Sequence, residues 1–178
     1  MNSIAERPMR WMWIDKVVEY EPGTRLVAVK NCSLAEEHLH DHFAADEHGP
    51  SDPVMPASLL LEGMAQTAGI LVGSLSRFRE KVVLAKIVSA SIDDEVRPGQ
   101  CVRYSATVDR ADAAGAAAGG IIERWDHAAP GWTPLGRVEF VFSHLDQNRS
   151  GQRFPEENFV FAENFRTILQ GTELAAPD

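Results

Sequence analysis

At 178 residues, 44% of them apolar, the chain is long enough to bury a core of its own, and its two cysteines, Cys32 and Cys101, lack CxxC spacing, so no disulfide framework or thiolate metal site is expected. Acidic residues outnumber basic ones by 26 to 17, giving a formal charge of −9 and a pI near 5.1; this excludes nucleic acid as a partner, because phosphate contacts need a basic face. No apolar stretch follows the charges of MNSIAERPMRWMWID, and residues 59–75 are interrupted by Glu62, Gly63, Gln66, Gly69 and Gly73, so neither a secretory signal nor a membrane span is expected and the cytoplasm is the default.

In chain order, residues 11–20 read as a strand, Glu21-Pro22-Gly23 as a turn, and the alternating residues 24–33 as the hairpin partner. A long irregular loop is expected over 34–55. Pro56 suits the first turn of a helix, which runs to about residue 76 and is apolar on every face, as in a helix wrapped by other structure. Four further strands follow at 82–96, 100–109, 116–126 and 133–144, the first two separated by the turn Arg97-Pro98-Gly99. The biased stretch ADAAGAAAGG at 111–120 reads as a hairpin connection. A strand pair, one buried helix and an antiparallel meander make an α+β fold in which a curved sheet wraps a long helix. That domain spans 1–146; residues 147–178 add a linker, a partial amphipathic stripe (Phe159, Phe161, Phe165, Ile168, Leu169) expected to dock as a short helix, and a fraying tail.

Glu62 is the only charged side chain between Asp52 and Arg77. A carboxylate on an apolar helix must be desolvated, which is costly unless the group is paired, protonated or used. His48 lies fourteen residues upstream, in the loop that leads to the helix N-terminus. Together they offer a base, an acid and first-turn N–H donors that lack intrahelical partners. Removing a proton beside a thioester carbonyl needs a base, which His48 fits, and a donor for the developing oxyanion, which the Ala57 N–H at the positive end of the helix dipole fits. Glu62 fits the acid that protonates a departing hydroxyl, because apolar surroundings favour a carboxyl that keeps its proton. Gln66, one turn on, is placed to orient Glu62. His38, His40 and His42 in EEHLHDH alternate as if along one strand face and, with Asp41 or Asp46, make a zinc site the rival reading to a solvated polar loop. Arg77, Arg79, Lys81 and Lys86 form a local basic cluster after the helix.

The run His48-Gly49-Pro50-Ser51-Asp52-Pro53-Val54-Met55-Pro56-Ala57, followed by Leu61-Glu62-Gly63-Met64-Ala65-Gln66, resembles the signature of the 3-hydroxyacyl-(acyl carrier protein) dehydratases of fatty acid synthesis. That signature reads His-Phe-Pro-Gly-x-Pro, then Val/Ile-Met/Phe-Pro-Gly, then Glu-Ala-Met-Ala-Gln, and the spacing here matches without a gap. Gly49, Ser51 and Ala57 stand where the pattern has Phe, Gly and Gly. The likeness extends over about residues 10–144. It implies a hot-dog fold, dehydration of acyl carrier protein or coenzyme A thioesters without metal or other cofactor, and a two-fold dimer, or a trimer of such dimers, in which His48 of one subunit faces Glu62 of the other. Two rival classes are a hot-dog thioesterase, which would use a carboxylate and a water instead of a His/Glu pair, and a non-catalytic acyl-binding subunit.

Overall fold

The computed structural model describes residues 12–145, 168–169 and 172–175. Within them the period-two alternation of the sequence resolves into β1 (Lys16–Glu21), β2 (Arg25–Asn31), β3 (Val82–Ile92), β4 (Cys101–Asp112), β5 (Gly115–Trp125) and β6 (Trp132–His144). Helix α1 (His38–Asp41) and helix α2 (Ala57–Leu75) lie between β2 and β3. The strands form one antiparallel sheet in the order β1-β2-β4-β5-β6-β3. Its ladders shift register in four of five pairings, and each extra residue bends the strand that carries it, which curves the sheet toward α2.

The concave face carries every second residue of the central strands: Tyr104 and Ala106 on β4, Ala118 and Ile122 on β5, Val138 and Phe140 on β6. These bury Leu60, Met64, Ala68 and Leu71 of α2 in a shared core. The helix is not wrapped on all sides as its composition suggests. Leu59, Leu61, Glu62, Gln66 and Gly69 are only half-buried, because a single sheet covers a single side. α2 has the length and apolarity of a membrane span, yet 56% of its most apolar window is buried in the protein, as befits a core helix.

Several elements differ from expectation. Strand β1 starts at Lys16, and residues 12–14 lie outside the sheet as they pass α2. The stretch 111–120 is mostly strand: the β4–β5 hairpin turns at Ala113 and Ala114, and Gly115 already pairs with Asp112. Its small residues serve close packing, since a Cβ on Gly120 would run into the Ser105 carbonyl of β4 and the methyl of Met64 on α2. Alternation cannot be read where side chains are this small. β3 ends at Ile92, and Val96 beyond it is fully buried, with its carbonyl accepting from Met55 N–H at 2.8 Å. Lys81 is buried, so the post-helix basic cluster does not present four exposed cations. Ile168 and Leu169 join the core; Phe159, Phe161 and Phe165, with the linker, lie outside the described residues.

The two sheet edges are unlike. β1 is short and carries Lys16, Glu19 and Glu21, whereas β3 runs eleven residues and exposes Leu84, Ile87 and Val88 at 41%, 44% and 50%.

Candidate active site

Helix α2 begins at Ala57 after Pro56, with no side chain capping its first turn. The segment before it is firmly placed: Val54 and Met55 are buried, and the Met55–Val96 hydrogen bond ties it to the loop after β3. The first-turn amides therefore sit at a fixed point, with the positive end of a nineteen-residue helix behind them.

Glu62 lies on the half-buried flank of α2, and its Oε1 accepts a hydrogen bond from Gln66 Nε2 at 2.9 Å. Gln66 Oε1 in turn accepts the Trp13 backbone N–H at 2.9 Å. The chain Trp13–Gln66–Glu62 fixes the amide's orientation and aims one carboxylate oxygen, leaving the other available. Trp13 was not singled out by sequence reasoning; no signal short of the fold places residue 13 against residue 66. The Trp13 ring stands edge-on to His38, centroids 5.0 Å apart. Burial pushes the His38 imidazole below its usual pKa, and its Nε2 is buried without a hydrogen bond.

The histidine-rich segment is helical at His38–Asp41, so His38, His40 and His42 do not alternate on a strand face. His42 caps the C-terminus of α1, its N–H donating to the His38 carbonyl, and its Nδ1 lies 2.6 Å from the Val54 carbonyl oxygen. Among the described residues no three His, Cys, Asp or Glu side chains are grouped to hold a metal ion. His48 sits at the tip of the loop with its side chain 82% exposed, Nε2 3.6 Å from a Glu47 oxygen. Its N–H and that of Gly49 both donate to Asp46 Oδ1, at 2.8 and 3.1 Å. Of the expected site residues, Glu62 and Gln66 are thus in contact with each other, Ala57 opens the same helix, and His48 touches none of them within one chain. Asp52 is gripped by Arg97, whose guanidinium holds its carboxyl below the usual range.

Neither cysteine belongs to this site. Burial pushes the Cys32 thiol up to about 11 and shifts Cys101 in the same direction, leaving both protonated and unreactive at neutral pH. A separate concavity of about 380 Å³ opens on the outer face of the sheet around Gly119, between Arg25, Thr107, Arg137 and Glu139. It lies across the sheet from α2.

The model of the FabA-like domain matches residues 5–123 of this sequence. The chain is 37% identical over 99 residues to a 3-hydroxyacyl-(acyl-carrier-protein) dehydratase of Ruminiclostridium cellulolyticum, covering 55% of this chain and 66% of that protein. It is 31% identical over 110 residues to the enzyme of the same name from Caldanaerobacter subterraneus subsp. tengcongensis, covering 61% and 74%. Against the first three such relatives the matched region spans 64–66% of their length, just under two thirds. Among solved structures, a dehydratase heterocomplex from Xenorhabdus doucetiae superposes with a TM-score of 0.58 at 14% identity, over 75% of this chain and 83% of that one. An acyl-CoA hydrolase from Bacillus cereus does so with 0.54 at 15% identity, over 74% and 70%. These likenesses establish the hot-dog fold.

Proposed function

This chain belongs to the FabA-like domain family, and from that premise we propose that it dehydrates 3-hydroxyacyl thioesters to trans-2-enoyl thioesters in fatty acid synthesis or a related acyl-chain synthesis. A histidine of the loop before α2 removes the proton next to the thioester carbonyl; the ungapped spacing of the motif nominates His48. Charge developing on the carbonyl oxygen is met by the Ala57 N–H, which has no intrahelical partner and needs no reorganisation. As the C–O bond breaks, Glu62 delivers its proton to the departing hydroxyl, which leaves as water. Gln66 holds Glu62 in position throughout. The observation that carries this reading is the Trp13–Gln66–Glu62 relay, which orients the one carboxyl of an otherwise uncharged helix on its half-buried flank.

The substrate is carried by acyl carrier protein, named in the similar enzymes, or by coenzyme A. The protein acts as a homodimer joined along β3, whose exposed Leu84, Ile87 and Val88 on a long unpaired edge invite a second copy. The half-exposed flank of α2 then gains its cover, and each site draws on both chains. No metal or other cofactor enters the chemistry, and the protein works in the cytoplasm.

The test is to give purified protein a crotonyl thioester of coenzyme A or acyl carrier protein. Hydration to the 3-hydroxyacyl thioester, the reverse of the proposed reaction, is expected. Release of free thiol without hydration would instead identify a thioesterase, the activity named for several neighbours of the fold.

A further inference from the structure

We infer that His42, rather than His48, is the base of this site, an inference that rests on the dehydratase reading above. The loop's own hydrogen bonds make the case. Phe43 accepts from Asp52 N–H at 2.9 Å, so residues 44–51 form a closed excursion whose two ends meet. Inside it, Asp46 N–H donates to Gly49 at 3.1 Å while Asp46 Oδ1 takes the amides of His48 and Gly49. The tip is therefore folded on itself as a separate small turn. His48 stands on that turn, solvent-facing, beside an equally exposed Glu47. Nothing ties its ring to the helix N-terminus.

His42 stands at the base of the excursion, and its surroundings suit a general base. A carbonyl oxygen can only accept, so at 2.6 Å from Val54 O the His42 Nδ1 must be the protonated nitrogen. That fixes the tautomer: Nε2 carries the lone pair and makes no hydrogen bond among the described residues. The ring is further held against Phe43, centroids 4.3 Å apart. Val54 lies two residues before Pro56, the N-cap of α2, so the imidazole is anchored to the same short segment that delivers the Ala57 amide. Phe43 supports the assignment from the backbone side. It is a bulky residue at φ 56°, in the left-handed region, and it is 60% exposed. Such a conformation costs free energy and persists where the surroundings require it.

The sequence signature agrees once the first six residues of the excursion are set aside. With residues 44–49 looped out, His42-Phe43 joins Pro50-Ser51-Asp52-Pro53 and reads His-Phe-Pro-Ser-Asp-Pro. The pattern's Phe, missing after His48, is then present, and only its Gly is replaced.

The experiment compares hydration of crotonyl-coenzyme A and the crotonyl thioester of acyl carrier protein by the wild type, His42→Asn and His48→Ala. Asparagine keeps an N–H able to reach the Val54 carbonyl but supplies no base, so a lost rate is not a lost loop; circular dichroism and Tm of each variant check the fold. His42→Asn should lower kcat by about 10²–10⁴-fold, and this loss should exceed that of His48→Ala by at least tenfold. A His48→Ala loss equal to or larger than that of His42→Asn, in an active and folded protein, overturns the assignment. A wild type that hydrates neither thioester removes the dehydratase reading itself, and the base with it.

Discussion

Glu62 and Gln66 sit on a helix whose far side is sealed into the sheet by Leu60, Met64 and Leu71, whereas His42 and His48 sit on a loop held mainly by hydrogen bonds to its own backbone. On the helix, position is dictated by packing: a residue's place follows from a 3.6-residue repeat and from which face the core claims. On the loop, position is dictated by a few closures, Phe43 to Asp52 and His42 to Val54, that skip over residues in between. Sequence spacing therefore reports position on the helix but not on the loop. Along α2 a count of residues is a distance; across residues 43–52 it is not.

The largest loss is expected when chemistry is removed from the helix without touching its packing. Glu62→Gln preserves shape and the hydrogen bond from Gln66 while abolishing proton donation, so hydration of a short 2-enoyl thioester should fall by about 10²–10⁴-fold with an unchanged circular dichroism spectrum. A near-normal rate would show that helix residues here only build structure. Next comes the question of whether loop and helix serve one site from two chains. His42→Asn and Glu62→Gln chains, unfolded together and refolded, should form about half heterodimers, each with one intact and one doubly altered site. Activity should return to roughly a quarter of wild type by two-fold symmetry. If both groups of a site came from one chain, the mixture would stay as inactive as its parents.

The fold was largely legible because its elements obey their periods: six alternating runs and one long apolar run gave the strand count, the helix and the α+β class. It failed where side chains are too small to alternate, at residues 111–120, and where a helix of four residues has no cap to announce it, at His38–Asp41. The contact between Glu62 and Gln66 was legible for the same reason, since they are one turn apart and do meet. The arrangement of the loop was not. His48 satisfies the motif's spacing without a gap, but the Phe43–Asp52 closure that sets it apart is a contact between residues nine positions distant, which no local pattern records. Nor did the sequence disclose why the motif's alanine after the glutamate is Gly63 here. Tyr104, fully buried on β4, fills that place.

Packing at Gly63 leaves no room for a side chain. A Cβ there would lie 2.5 Å from both Cζ and Oη of Tyr104, a side chain locked in the core. Overpacking of this kind costs about 1–3 kcal/mol, set against up to about 1 kcal/mol that alanine regains over glycine in a helix. Gly63→Ala should thus lower Tm despite its better helix propensity. Combined with Tyr104→Leu, the two losses should sum to less than their separate values, because the smaller ring-free side chain relieves the clash. Strict additivity would mean that Gly63 and Tyr104 are not the coupled pair the packing indicates. The Tyr104 hydroxyl, buried without a hydrogen bond, is a further cost that the leucine removes.

The smallest effect belongs to the loop. Arg97 hydrogen-bonds Asp52 and also pairs with Glu95 at 2.8 Å, linking the end of the 44–51 excursion to the turn before β4. Both partners of the Asp52–Arg97 pair are exposed, so the tie is screened and weak. Its sign is nonetheless testable. The hydrogen bond from Arg97 is the main reason the Asp52 carboxyl lies below its ordinary value of 3.8. A carboxyl whose folded pKa is depressed contributes stability that is present above its unfolded value and lost as pH falls through the folded one. Arg97→Gln should accordingly lower Tm slightly at pH 7, and the gap to wild type should shrink as pH drops below about 4, where the carboxyl becomes protonated. Scanning calorimetry at the two pH values measures it. A gap that persists or widens in acid would mean that Arg97 steadies this loop through its stem or through Glu95, and not through the charge on Asp52.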